Sequence, residues 1–196
     1  MPDGPTIHLP GLELFQAVQA RTNVRPKRLE LARNAILHDC DMPAISVFYI
    51  ERGDIRGFQP GPDGSLRLLE ILGPGEWMGA SAIAGLSTYC KRAVAFLPST
   101  VLEYPVERFL TAVLEDRTLC EKVVRGTCRK LCEAREEAAR LVFEDCNQRL
   151  VKTLLRFSRT VAARPGEQGV ILRITHEQLA QAVGPPAKPS AWRCRN

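Results

Sequence analysis

Ile45-Ser46-Val47-Phe48-Tyr49-Ile50 is a run of β-branched and aromatic residues, and Arg52-Gly53-Asp54 breaks it. The apolar pattern resumes from Asp54 to Phe58, and Pro60-Gly61-Pro62-Asp63-Gly64 supplies a hairpin loop. Leu66 to Leu72 reads as the return strand, closed by Gly73-Pro74-Gly75. Ala93 to Phe96 and Thr100 to Tyr104 add two more strands. Short strands at this spacing, punctuated by Gly and Pro between Val24 and Leu102, predict an antiparallel sandwich or barrel.

Beyond Pro105 the period changes. Glu107 to Leu114 has helical spacing, and a longer helix is predicted from about Thr118 to Phe143. Along it Cys120, Val124, Thr127, Leu131, Ala134, Ala138 and Leu141 step alternately by four and three, an a/d seam. Arg129, Lys130, Glu133, Glu136 and Glu137 flank this narrow seam, which favours a homodimer contact over packing on the chain's own sheet. Asp145-Cys146-Asn147 can cap a further helix with Leu150, Val151, Leu154, Leu155 and Phe157 on its apolar stripe. Arg164 to Gly169 reads as a turn and Val170 to Ile174 as a strand. Thr175 is the N-cap of a last helix that stops at Gly184.

The 196 residues suffice for a sizeable core, and the 45% hydrophobic and 25% charged composition excludes collagen-like, mucin-like and disordered classes. No run of eighteen apolar residues exists, so no membrane span is expected, and Met1 to Pro10 lacks the pattern of a signal peptide. Seven cysteines without a CxxC pair are expected to be reduced cytosolic thiols. The net charge of +5 is uneven: from Asn147 onward there are nine Lys or Arg and two Glu. The first 146 residues carry 18 basic and 20 acidic residues, so the basic C-terminal quarter suggests a polyanion partner. No Ser/His/Asp set, paired carboxylates or P-loop is found, and the three histidines (8, 38 and 176) are scattered, so an enzyme is not expected.

The strand glycine Gly53, the turn Gly75-Glu76-Trp77-Met78-Gly79, the hinge Phe143-Glu144-Asp145 before Arg149-Leu150, and the segment Ile174 to Gly184 occur in an order that resembles the Crp/Fnr family of bacterial transcription factors. The likeness covers nearly the whole chain. It implies an α+β fold: an N-terminal antiparallel β-roll of the cyclic-nucleotide-binding type over 1–114, a dimerisation helix over 115–144, and a winged helix-turn-helix, here incomplete, over 145–196. It also implies DNA and RNA polymerase as partners, a homodimer, and a cytoplasmic location. Thr175, His176 and Gln178 would stand at the phosphate-facing end of the first helix-turn-helix helix.

The same likeness places the effector pocket at Gly79, Ala80, Ser81, Cys90, Lys91, Arg92, Ala134 and Arg135. Family members that bind cyclic AMP carry a Glu where Ala80 stands, an Arg-Ser pair where Cys90 and Lys91 stand, and a hydroxyl pair where Ala134 and Arg135 stand. These departures argue against cyclic AMP. Another anion, held by Gly79 to Ala82 with Lys91, Arg92 and Arg125, and no ligand at all both remain open, and the cofactor is unknown. The N-terminal cysteine cluster of iron–sulfur members is absent, since no cysteine precedes Cys40. For His38 and Cys40 a structural role outweighs haem ligation; a thiol switch at Cys120 on the seam is a further alternative.

Pro185, Pro186 and Pro189 follow Gly184 where the family has its recognition helix, and an interior proline costs a helix about 3 kcal/mol. Base readout and an ordered structure are therefore not expected from Pro185 onward. Translating the permitted codons from two nucleotides into the Gly184 codon admits Ala-Ser-Arg-Glu-Thr-Val-Ser-Leu-Ala-Leu, a string that looks like a family recognition helix. A frameshift at Gly184 is the expectation. Resequencing the coding DNA across that codon checks it: a frame that continues into a recognition helix and wing is expected, and an unaltered frame would sink the idea.

Overall fold

The computed structural model describes residues 11–22, 25–167 and 169–184. Helix α1 (Gly11–Thr22) precedes β1 (Lys27–Leu31), β2 (Ile36–His38), β3 (Ser46–Arg52), β4 (Ile55–Pro60), β5 (Leu66–Leu72) and β6 (Trp77–Met78). Then come α2 (Ala80–Ile83), β7 (Arg92–Ala95), β8 (Ser99–Pro105), α3 (Val106–Leu114) and α4 (Arg117–Phe143). The C-terminal unit comprises α5 (Cys146–Phe157), β9 (Ala163–Gly166), β10 (Gly169–Leu172) and α6 (His176–Val183). The roll is two antiparallel sheets of order β1-β8-β3-β6 and β2-β7-β4-β5; β9 and β10 form a separate hairpin.

Strand β3 explains why the deciding run is continuously apolar rather than alternating. Its successive side chains face opposite ways, and both faces are covered. Phe48 stacks toward His38 of the second sheet, while Tyr49 stacks on Phe15 of α1 with ring centroids 4.8 Å apart. Around them one core joins α1, both sheets and α3, with Ile50, Val101, Tyr104 and Phe109 all buried. Gly53 turns β3 into β4 at φ +111, where a Cβ would lie 2.0 Å from Ser99 Oγ; only glycine suits this corner.

Helices α4, α5 and α6 begin where side chains answer their free N–H groups. The Asp116 carboxylate accepts from Thr118 N at 2.7 Å and Leu119 N at 2.9 Å, starting α4. Asp145 with Gln148 and Thr175 with Gln178 form complete capping boxes on α5 and α6. Gly184, at φ +78, stops α6. Near the end of α4, Glu137 gathers Arg67 of β5 at 3.7 Å, Arg140 at 3.3 Å and Arg156 of α5 at 3.6 Å.

A second core lies between the roll and the C-terminal unit. Phe58, Leu68 and Ile71 of β4 and β5 meet Phe157, Ala162 and Ala182.

Several expectations need adjusting. The predicted turn over Arg164–Gly169 is largely strand: β9 includes Arg164 to Gly166, and Arg164 pairs with Ile171 and Pro165 with Val170. Proline is admitted there because a two-stranded hairpin has a free outer edge. The following strand ends at Leu172, not Ile174. Helix α1 and strands β1 and β6 were not predicted from the sequence. The segment from Pro185 lies outside the described residues. Phe157 is 1% exposed at the centre of the second core, so Phe157→Ala is expected to cost about 3–5 kcal/mol, measured by denaturant unfolding.

Candidate functional site

The turn expected to cradle an effector is built by its neighbours. Glu76 accepts from Gly73 N at 2.7 Å, and Gly75 N donates to Ile50 O at 2.9 Å. Gly79 has φ +113, and a Cβ there would meet Val47 Cα at 2.8 Å and Ser46 O at 2.9 Å, so the turn is pressed onto β3. Ala80 then opens the four-residue α2.

The structure brings some of the expected pocket residues together. Ser81 is buried; its Oγ accepts from Cys90 N at 3.2 Å and lies 3.1 Å from Cys90 Sγ. Lys91 pairs with Glu70 of β5, and Arg92 with Asp39, its Nη2 2.6 Å from Oδ2. Ala134 and Arg135 lie exposed on α4. The cations expected to receive an anion thus already hold carboxylates of this chain, and Glu70 and Asp39 were missing from the sequence reading. Glu70 sits within Leu68-Leu69-Glu70-Ile71-Leu72, where a lone charge signals a placed partner. Gly57, opposite it in the ladder, makes room: a Cβ there would come within 2.8 Å of Glu70 Cγ. Burial pushes the Glu70 carboxyl up, but Lys91 and Lys130 outweigh it and hold it below its usual value. The hydrogen bond from Arg92 likewise lowers Asp39.

His38 lies beside these charges, 2% exposed, its ring 4.0 Å from that of Tyr89 at an interplanar angle of 18°. Neither ring nitrogen has a hydrogen-bond partner of good geometry. Burial, reinforced by Lys91, pushes its pKa down to about 4, against a smaller opposing pull from the Lys91 backbone. Among the described residues no group of three or more metal-ligating side chains occurs, and Cys40, Cys90, Cys120, Cys128, Cys132 and Cys146 are free thiols.

The predicted seam on α4 divides. Cys120 is half-buried against the roll core beside Leu119 and Val123, whereas Val124 is 54% and Leu131 60% exposed. Thr127, Ala134 and Ala138 are exposed and Leu141 half-buried. Thr175 and His176 are exposed at the start of α6. Gln178 is occupied within the protein: its Oε1 accepts from Thr175 N at 3.2 Å and from Arg56 Nη1. Arg56 is a residue the sequence reading passed over. Its one legible signal is the i, i+2 spacing with Asp54, which puts both side chains on one face of an extended chain.

A β-roll whose glycine-pinned turn adjoins a short helix, followed by a long helix, defines a cyclic nucleotide-binding-type domain, and residues 28–116 match that family, the cyclic nucleotide-binding domain. The chain carries this domain and is homologous to CRP/FNR-family transcriptional regulators over about 72% of its length. It is 25% identical over 146 residues to the CRP-like cAMP-activated global transcriptional regulator of Mycobacterium tuberculosis, covering 72% of this chain and 64% of that protein. With the transcriptional regulator LdrP of Thermus thermophilus it shares 24% identity over 139 residues, 71% of this chain and 68% of LdrP. The chain therefore spans about two thirds of the length of these transcriptional regulators. The fold is shared with the c-di-GMP responsive regulator CLP of Xanthomonas campestris at a TM-score of 0.73 and 21% identity, covering 88% of this chain and 84% of CLP. A CRP-family regulator of Thermus thermophilus gives a TM-score of 0.64 at 24% identity, covering 80% and 76%.

The state of His38 sets a pH dependence. Between its ordinary value near 6.5 and about 4, the unfolded chain binds a proton that the folded protein refuses. Stability is expected to fall as pH drops through that window, by at most about 1.4 kcal/mol per pH unit. Urea unfolding between pH 7 and 5 reads this above the range where Glu70 and Asp39 titrate. In His38→Phe, which keeps the stack on Tyr89, that slope is expected to shrink.

Proposed function

We propose that this protein is a cytoplasmic, homodimeric DNA-binding transcription regulator of the CRP/FNR type. In this reading residues 1–114 form the effector domain, 115–144 the dimerisation helix and 145–196 the DNA-binding unit. The observation that carries it is the exposed apolar seam of α4, with Val124 and Leu131 uncovered, directly after a cyclic nucleotide-binding domain. A helix that leaves such a row in water is stabilised by a second copy of itself. The basic C-terminal quarter supports attraction to DNA, with Thr175, His176 and Gln178 at its leading helix end and RNA polymerase as a further partner.

The effector is not cyclic AMP in this reading, although the Mycobacterium tuberculosis relative is described as cAMP-activated. Ala80 supplies no carboxylate for a ribose, and Lys91 and Arg92 are engaged by Glu70 and Asp39. Gly79, Ser81 and Cys90, with Ala134 and Arg135 of the long helix, remain the expected pocket for any other effector. A second reading, a ligand-sensing and dimerisation module without base readout, is favoured by Pro185, Pro186 and Pro189 immediately after α6.

Sedimentation velocity and gel retardation test the proposal together. The chain is expected to run as a dimer and Leu131→Glu as a monomer; a monomeric wild type would overturn the dimer. Retention of promoter DNA is expected to weaken steeply with salt, and retention of one promoter over random duplex separates a base-reading regulator from the second reading. Cyclic AMP is expected to leave the melting temperature unchanged, because a ligand that does not bind the folded state cannot stabilise it.

A further inference from the structure

The segments 38–44 and 87–93 run antiparallel and face each other. His38 pairs with Ala93 at one end, and Pro43 bridges Thr88 near the other. Tyr89 N donates to Met42 O at 3.1 Å, and Ala44 N to Ser87 O at 3.0 Å. Arg92 Nε donates to the Asp39 carboxylate at 2.8 Å. Counted from either end, the offset sets Cys40 opposite Lys91, one residue from Cys90. Between these ties Met42 N returns to Asp39 O at 3.1 Å, so Cys40 is a corner of a tight turn and is not bound to strand alternation. Facing antiparallel backbones stand about 5 Å apart, inside the span that a disulfide bridges. The two thiols also sense each other: burial pushes Cys40 up first, Asp39 next, and Cys90 adds to both.

Cys90 is exposed and Cys40 half-buried. Ser81 Oγ of α2 accepts from Cys90 N at 3.2 Å, which leaves its hydroxyl proton for Cys90 Sγ, 3.1 Å away. That donor stabilises a Cys90 thiolate, the nucleophile in thiol–disulfide exchange. We propose that Cys40 and Cys90 form a redox-active dithiol, which a small disulfide such as oxidised glutathione closes into an intrachain bridge. Cys90 sulfur attacks one sulfur of the small disulfide, whose S–S bond breaks and releases one thiol. Cys40 sulfur then attacks Cys90 sulfur, and the mixed bond breaks to release the second. Two protein thiols lose two electrons, the small disulfide gains them, and both thiol protons leave on the released thiols. The bridge ties the turn after β2 to the strand leading into β7. The dithiol needs neither DNA nor an effector, so it stands apart from the function proposed above.

Peptide mapping of the full-length wild type decides the matter without any variant. The protein is equilibrated in glutathione buffers of rising oxidised fraction, its free thiols are blocked with iodoacetamide, and it is digested with trypsin. Cleavage leaves Cys40 in peptide 34–52 and Cys90 in peptide 68–91. Mass spectrometry is expected to find these two peptides joined, from protein that runs as a monomer on a non-reducing gel. Cys40 and Cys90 each capped by glutathione, joined only to other cysteines, or joined only in a cross-linked dimer would overturn the dithiol. Three variants then order the steps, with the melting temperature of each reduced form showing that the roll is intact. Cys40→Ser is expected to stop at a Cys90–glutathione mixed disulfide. Cys90→Ser is expected to leave Cys40 largely unmodified, and heavy capping of Cys40 there would overturn the order of attack. Ser81→Ala is expected to slow the first step severalfold, because the thiolate loses a donor. An unchanged rate would remove Ser81 from the site.

Discussion

A guanidinium does not lose its proton inside a protein, so a buried arginine must find partners for a fork of donors. Asp54 can satisfy one edge of Arg56 and no more, and Phe96 covers a face. Among the described residues the other edge is answered by the Arg173 carbonyl and the Gln178 amide. Desolvating such an ion costs several kcal/mol before its contacts are counted, so the pair is weak evidence of extra stability. Its effect is geometric: apolar contact among Phe58, Leu68 and Phe157 tolerates small slides, whereas the arginine fork fixes one orientation of α6 against β4.

The same rule runs through the interior of the roll. Lys91 and Arg92 stand where an anion was expected, and each has a carboxylate of its own, from β5 and from the loop after β2. His38 is held neutral beside them because burial and the neighbouring lysine both disfavour a further positive charge. The pocket region is thus a set of paired charges, in which the proton affinities of Glu70, Asp39 and His38 report on their neighbours.

Local signals were legible in the sequence, and long-range ones were not. The β3, β4 and β5 runs, the Asp145 and Thr175 caps and the Gly184 stop each carry their chemistry within a few residues. Lys27-Arg28-Leu29-Glu30-Leu31 offers only two apolar positions, so β1 becomes apparent only through its pairing with β8. Pro165-Gly166 has the composition of a turn, and only the facing Gly169–Leu172 strand makes it half of a hairpin. The heptad seam was visible, but not the point where it divides: Leu119, Cys120 and Val123 pack on the roll, while the row beyond faces outward. Arg56 was the hardest to read, because a charged residue in a strand suggests solvent. Its burial depends on a carbonyl and an amide more than a hundred residues later.

The second core has a consequence for where this molecule can be divided. Half of its apolar lining comes from β4 and β5, and half from α5, the following turn and α6. A cut after the long helix would pass between Phe157 and the strands that shield it. The C-terminal unit is therefore not a segment with an interior wholly of its own. Evolution acting on Phe58, Leu68 or Ile71 edits the C-terminal unit from within the N-terminal one.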